Sequence, residues 1–227
     1  MKRILENEAM NGAETALGYD KIVEQHYRWL IEPHVNRILK LTAFEQNKKL
    51  SILDIGCGTG RLSLEIAKKA QADVYSVDCS LDMLRVLDAN MAHTHTKGGV
   101  RLISADAKKL PFRDRCFDVV VCVNMFHHMP DPLGALRQIK RVVKDDGIVI
   151  LSDLTRPVSP ILVDLYVSVF GVLYDDVMKK QYRNSLSASF SAGEWRRLAA
   201  RLGRRGLTMF NSFPHYINMH KKMQRHS

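Results

Sequence analysis

Between about Gly18 and Leu41, apolar residues at Ile22, Val23, Tyr27, Leu30, Ile31, Val35, Ile38 and Leu39 recur at three- and four-residue steps. That is the spacing of one helical face, and it predicts an amphipathic helix broken near Pro33. The rhythm then changes. Leu50–Ile55 is a short apolar run closed by a cluster of glycines, and Arg61 to Ala70 reads as a helix. Asp73–Asp78 reads as a second strand, after which Ser80 can cap a helix over Leu81 to Met91. Val100–Ser104 and Phe117–Val123 read as the third and fourth strands, Pro132 to Lys144 as a helix, and Gly147–Leu151 as the fifth strand. Strands alternating with helices imply right-handed crossovers, and therefore an α/β fold with a doubly wound, mostly parallel sheet.

After Asp153 the alternation stops for about 37 residues, long enough to form an inserted cap rather than a connection. A capping-box pattern, Ser191-Ala-Gly-Glu194, then starts a helix running to about Leu202. Leu207 to Phe213 and Tyr216 to His220 flank Pro214-His215 and predict a hairpin that closes a sheet of about seven strands with one antiparallel pair. The organisation expected is a helical lid over residues 1–48, a core over 49–153, a helical cap over 154–190, and a C-terminal helix and hairpin over 191–227 that complete the core.

A chain of 227 residues with 46% apolar and 26% charged residues can bury a full core, which excludes a disordered or disulfide-stapled protein. Cys57, Cys79, Cys116 and Cys122 are scattered without a C-x-x-C pair, and they read as reduced thiols of a cytoplasmic protein. The N-terminus acquires acid before any signal-like apolar stretch, so secretion is not expected. The longest apolar segment, Pro160 to Tyr174, contains Asp164 and falls short of the roughly 20 residues that cross a bilayer. The net charge of +10 is one-sided: residues 1–178 hold 23 basic and 23 acidic side chains, whereas residues 179–227 hold 11 basic side chains against Glu194 alone. Such a field suits an acidic partner, be it nucleic acid, an anionic membrane surface or an anionic substrate, or simply a solvated face.

In an open parallel sheet, ligands bind at the carboxyl ends of the strands near the switch point, and the chemistry-bearing residues gather there. Asp54-Ile-Gly-Cys-Gly-Thr-Gly60 follows the first strand and opens a helix, where free amides suit a carboxylate or phosphate. Asp78 ends the second strand and can accept hydrogen bonds from two ribose hydroxyls, while Asp106 after the third can accept from an exocyclic adenine amine. Together they describe an adenosine pocket. Arg61-Leu62 stands where a Walker loop needs Lys-Ser/Thr, and the loop reads G-x-G-x-G where a dinucleotide fingerprint reads G-x-G-x-x-G. The acid at Asp54 would repel a pyrophosphate but can pair with an ammonium.

On these residues the chain resembles the class I S-adenosylmethionine-dependent methyltransferases, from roughly Lys49 to Leu151. Beyond the glycine loop, the likeness includes Val77-Asp-Cys-Ser80, Ala105-Asp106, Leu110-Pro-Phe112, Phe117-Asp-Val-Val-Val121 and Asn124-Met-Phe-His-His-Met-Pro-Asp131. The order is most similar to the branch holding quinone-biosynthesis and small-molecule enzymes. The resemblance implies a Rossmann-like fold and S-adenosylmethionine as cofactor. By position, Asp54, Gly56, Cys57, Gly58 and Gly60 would face its methionine part, Asp78 the ribose, Cys79 and Met83 the adenine surroundings, Asp106 and Ala107 the adenine edge, and Asn124 and Met125 the sulfonium side. Asp145-Asp146 departs from the Pro-Gly that many relatives carry.

His127 and His128 are the candidate bases at the pocket mouth, with loop orientation as their plainer role. Arg156, Tyr182 and Arg183 are the candidate substrate contacts. Tyr19, Tyr27 and Leu165 to Leu173 read as lid and cap packing, and Cys122 as core packing. His93 and His95 lack a third ligand, so no metal site is expected. Asn124-Met125-Phe126 departs from the Asn-Pro-Pro-Tyr type of base-amino enzyme. The reading is in-line methyl transfer to a small-molecule acceptor, for which an anionic one would suit the basic excess. The alternatives are an RNA- or tRNA-modifying enzyme docking through its basic C-terminal face and a non-catalytic cofactor-binding partner subunit.

Overall fold

A computed structural model describes residues 1–6, 12–26, 30–43, 48–172, 174–203, 207–212 and 216–223. Two helices, α1 (Ala13–Gln25) and α2 (Glu32–Leu41), precede the alternating part. There follow β1 (Leu50–Ile55), α3 (Arg61–Lys69), β2 (Ala72–Asp78), α4 (Leu81–Ala92), β3 (Val100–Ser104), β4 (Phe117–Val123), α5 (Leu133–Val142) and β5 (Val143–Leu154). The cap consists of α6 (Pro160–Phe170) and α7 (Asp176–Ala188), and the chain closes with α8 (Ala192–Arg201), β6 (Leu207–Ser212) and β7 (Tyr216–Lys222).

The seven strands form one sheet in the order β3-β2-β1-β4-β5-β7-β6, with β7 antiparallel to both β5 and β6. Alternate residues of each strand serve opposite faces. Leu53, Val120 and Leu151 pack with Leu136, Ile139 and Trp195 on one side, while Ile52, Val121 and Ile150 pack with Val35, Ile38 and Ile66 on the other. The order reverses direction between β1 and β4, so the carboxyl ends of β1, β2, β4 and β5 open onto one crevice.

The predicted N-terminal helix is two helices. Pro33 lies in the first turn of α2, where its missing N–H costs no hydrogen bond, so it starts a helix instead of breaking one; Tyr27 falls outside the described residues. Strand β5 begins at Val143, four residues earlier than the apolar run, because Asp145-Asp146 fall in an irregular stretch where the register with β4 shifts between Phe117 and Val119. The capping box at Ser191 and Glu194 is present with both of its reciprocal bonds. The Pro214-His215 turn lies outside the described residues, as do Phe213, Arg204 and Arg205. Lys221, one of the 11 basic side chains of the C-terminal part and so a candidate for its basic face, is buried with its ammonium donating to the Gly203 carbonyl.

Candidate functional site

A cavity of about 400 Å³ opens at the carboxyl ends of β1, β2, β4 and β5 and is roofed by the cap. Its geometry begins with the glycine loop. Gly56 has a φ of +70°, and a Cβ there would stand 2.4 Å from Cγ of Met125, so only glycine lets the loop lie this close to the end of β4. The Gly58 N–H donates to Asp78 Oδ2 at 2.8 Å, and the Ser80 N–H donates to Oδ1 at 2.9 Å. Burial pushes the Asp78 carboxyl up from its ordinary range despite these bonds. Asp78 thereby fixes the loop as well as facing the cavity.

Gly56, Gly58, Asp78, Cys79, Met83, Asp106, Ala107, Asn124 and Met125 all line the cavity wall. Asp54 and Cys57 border a smaller pocket under the glycine loop that shares Tyr19, Gly56 and Asn124 with the main one. Asp54 is only 2% exposed and accepts from the Ser63 hydroxyl at 2.7 Å. Burial pushes its carboxyl up to about 7, Ser63 opposing and the nearby Asp78 adding to the rise. Gly60 lines neither pocket and instead packs the start of α3 against Leu87. Asn124, with a φ of +54°, donates from Nδ2 to the Tyr216 hydroxyl, while its Oδ1 is buried and accepts no hydrogen bond among the described residues. A buried acceptor without a donor is costly, which fits a ligand bearing an N–H or O–H at this point.

The far end of the cavity is built from Tyr174, Tyr182, Tyr216, Gln181, Ser185, His127 and His128, while Tyr19 of α1 reaches in beside Gly58 of the glycine loop. Burial raises all four tyrosine hydroxyls above their usual range, so they stay neutral here. Gln181 Oε1 is a second buried acceptor with no hydrogen-bond partner among the described residues. His127 is held by Asp153, which is fully buried at the end of β5: Nδ1 lies 2.6 Å from Oδ1, and the His127 backbone N–H donates to Oδ2. Burial alone would lower the imidazole pKa, but the Asp153 carboxylate and its hydrogen bond, with Glu6 beyond, outweigh it and raise the value.

The N-terminal segment completes this wall. Arg3 donates to the carbonyls of His127, Met129 and Ala188, tying the turn after β4 to the end of α7. Glu6 accepts from the Ser185 hydroxyl and lies 3.7 Å from Nδ1 of His128, and burial raises its carboxyl pKa. Glu6, His127 and His128 bring their ligating atoms within 4.8 Å of one another, a grouping the sequence does not foretell. Asp153 already engages Nδ1 of His127, and the Arg3 cation sits at the His127 carbonyl, so the arrangement suits a proton better than a further cation.

Two expected substrate contacts are elsewhere. Arg156 donates to the Ser189 carbonyl and to Glu194, bracing the start of α8, and does not line the cavity. Arg183 pairs on the outer side of the cap with Asp164 of α6. Both guanidiniums are consumed by structural acceptors that sequence spacing could not reveal; Tyr182 does line the cavity. His93 and His95 are exposed in the loop after α4. Asp153, Glu6 and Arg3 were missed. For Asp153 a signal existed, a lone acid at the carboxyl end of an otherwise apolar parallel strand; Arg3 and Glu6 reach the site by long-range contacts that leave no local pattern.

Residues 53–151 match a family described as a methyltransferase domain. Demethylmenaquinone methyltransferase of Staphylococcus aureus strain MRSA252 is 31% identical over 149 residues, which cover 65% of this chain and 58% of that protein. The matched region thus spans less than two thirds of the length of the curated relatives. Among solved structures, a SAM-dependent methyltransferase from Aquifex aeolicus superposes with a TM-score of 0.64 at 16% identity, covering 93% of this chain and 98% of that one. The plantazolicin methyltransferase BpumL in complex with SAH gives a TM-score of 0.66 at 18% identity, covering 94% of each chain. At such identities the likeness is one of fold.

Proposed function

We propose that the protein, whose residues 53–151 match a methyltransferase domain, is a class I methyltransferase that transfers a methyl group from S-adenosylmethionine to a small-molecule acceptor enclosed beneath the cap. The observation that carries this reading is the cavity itself: one wall is the Asp78-anchored glycine loop and the other is the His127 end, in a single space of about 400 Å³. The volume suits a small ligand, and the tyrosine-lined end suits an acceptor with an apolar or aromatic body.

Asp78 would accept from the ribose hydroxyls, and Met83, Asp106 and Ala107 would border the adenine. The uncommitted Oδ1 of Asn124 and the carboxyl of Asp54 would receive the ammonium of the methionine part. S-adenosylmethionine supplies an electrophilic sulfonium methyl when bound. The chain's own task is to exclude water, align the acceptor at about 3 Å and remove its proton. His127, with its proton on Nδ1 directed to Asp153, presents Nε2 as the base, and the imidazolium formed is stabilised by the same carboxylate. His128 borders the same space and orients the acceptor. Gln181 Oε1 can accept a hydrogen bond from a hydroxyl or amine of the methyl acceptor.

Calorimetry with S-adenosylmethionine and its demethylated product tests the cofactor reading, and absence of binding would end it. Incubation with a fractionated small-molecule extract, followed by mass spectrometry for gain of one methyl group, then identifies the acceptor. Methylation confined to an RNA fraction would replace the small-molecule reading.

A further inference from the structure

Helix α6 is apolar on two opposite stripes, with Asp164 and Ser168 as its exposed polar side chains. Val163 and Val167 bury one stripe against Leu154 and Leu186. The opposite stripe, Ile161, Leu165 and Val169 at four-residue steps, is 78, 50 and 53% exposed. Val158 extends it at one end, and Val172 and Val177 continue it at the other, with exposures of 80, 70 and 65%. A run of large exposed apolar side chains marks an interaction face.

The charges at its edge decide what covers it. The basic excess of the chain begins beside this stripe, on α7, with Lys179, Lys180 and Arg183. Arg183 neutralises Asp164 of α6, the N-terminal ammonium bonds the Val158 carbonyl, and Lys2 follows it; Asp175 and Asp176 stand at the turn between the helices. A second copy seated on the stripe would bring two chains of charge +10 together. An anionic bilayer instead offers apolar acyl chains to the stripe and negative headgroups to the lysines. At 11 residues, α6 is about 16 Å long, too short to span and suited to lie in the interface.

We infer that the cap is an interfacial docking element, with the outer face of α6 seated in the surface of an anionic lipid bilayer. The inner face of the same helix pair carries Gln181, Tyr182 and Ser185 on the cavity wall. Docking therefore sets the acceptor end of the cavity next to the membrane and favours an amphipathic acceptor that partitions there. The acceptor class rests on the methyl-transfer reading; the docking does not.

The test is co-sedimentation of the full chain with vesicles of phosphatidylcholine alone and of equal parts phosphatidylcholine and phosphatidylglycerol, at low and high salt. Binding is expected to the phosphatidylglycerol vesicles and to weaken with salt. Ile161→Ser/Leu165→Ser should reduce it about tenfold or more, as apolar anchoring is lost, and Lys179→Glu/Lys180→Glu should reduce it about as strongly. S-adenosylmethionine affinity and melting temperature should be unchanged in both variants, because these side chains lie outside the cavity wall and the buried core. No binding by the wild type to either vesicle, or binding that both variants retain, overturns the proposal. So does a concentration-dependent dimer in sedimentation that Ile161→Ser/Leu165→Ser abolishes while vesicle binding is absent, which assigns the stripe to a second copy. Calorimetry with S-adenosylmethionine on the same samples keeps a failure of docking separate from a failure of the methyl-transfer reading.

Discussion

Asp153 Oδ1 and His127 Nδ1 meet at 2.6 Å across 26 residues of sequence, in a place that solvent scarcely reaches. The carboxylate also accepts from the His127 backbone N–H, so it fixes both the turn after β4 and the tautomer of the ring. The groups that face this imidazole are Asp153 from β5, Glu6 and Arg3 from the N-terminal segment, and His128 from its own turn.

Because the folded-state pKa of His127 is raised, the stability it contributes is fully present below about pH 6.5, the value expected in an unfolded chain, and is lost as pH rises through the folded value. Asp153→Asn should lower the pKa of this ring in a histidine-resolved NMR titration and flatten that limb of the stability profile. Glu6→Gln should lower it by a smaller amount. A ring that titrates identically in wild type and Asp153→Asn would remove the pair from the mechanism.

Asp54 tests the space beneath the glycine loop. Its carboxyl is raised to about 7 from 3.8, so the folded state holds a proton that the unfolded state releases, and stability falls as pH rises between those values. Asp54→Asn should abolish this slope and stabilise the free protein at pH 8 by on the order of a few kcal/mol, as read by denaturant titration. It should also weaken S-adenosylmethionine binding, since a neutral amide pairs poorly with an ammonium. Unchanged affinity would detach Asp54 from the cofactor.

Asp78→Asn should weaken S-adenosylmethionine binding by about 1.5 to 3 kcal/mol, the range for hydrogen bonds to a charged group. An amide oxygen can still accept only one of the two backbone bonds from Gly58 and Ser80, so a modest fall in melting temperature accompanies it. Calorimetry that finds the wild-type affinity would remove the ribose assignment.

Arg196, Arg197 and Arg201 are exposed on α8, whose Trp195 and Ala199 are buried against the sheet. Weak, salt-sensitive binding of RNA is expected through this face, with a shallower dependence of log affinity on log salt in Arg197→Glu/Arg201→Glu. Turnover on the true acceptor should be unaffected. Its collapse, with cofactor affinity preserved, would make docking through α8 essential.

The alternation of periods along the chain determined the elements and, through them, the sheet: each run from Leu50 to Leu151 is local, continuous apolar runs mark strands buried on both faces, and the 3.6 period states which helix face is buried. The glycine loop, Asp78 and Asp106 were legible for the same reason, since each sits at the end of a readable strand. Tertiary structure decided everything that depends on pairing across distance. Arg156 and Arg183 look like free cations in sequence, yet Glu194 and Asp164 engage them. Glu6 and Arg3 precede any periodic pattern in the sequence, yet they close the wall around His127. Helix α6 reads as an ordinary apolar run, and only its packing separates the stripe that touches Leu154 and Leu186 from the one that faces outward. Periodicity records what a segment does with its own neighbours; it carries no address for a partner on another element, whether 26 residues away, as Asp153 is from His127, or 124, as Arg3 is.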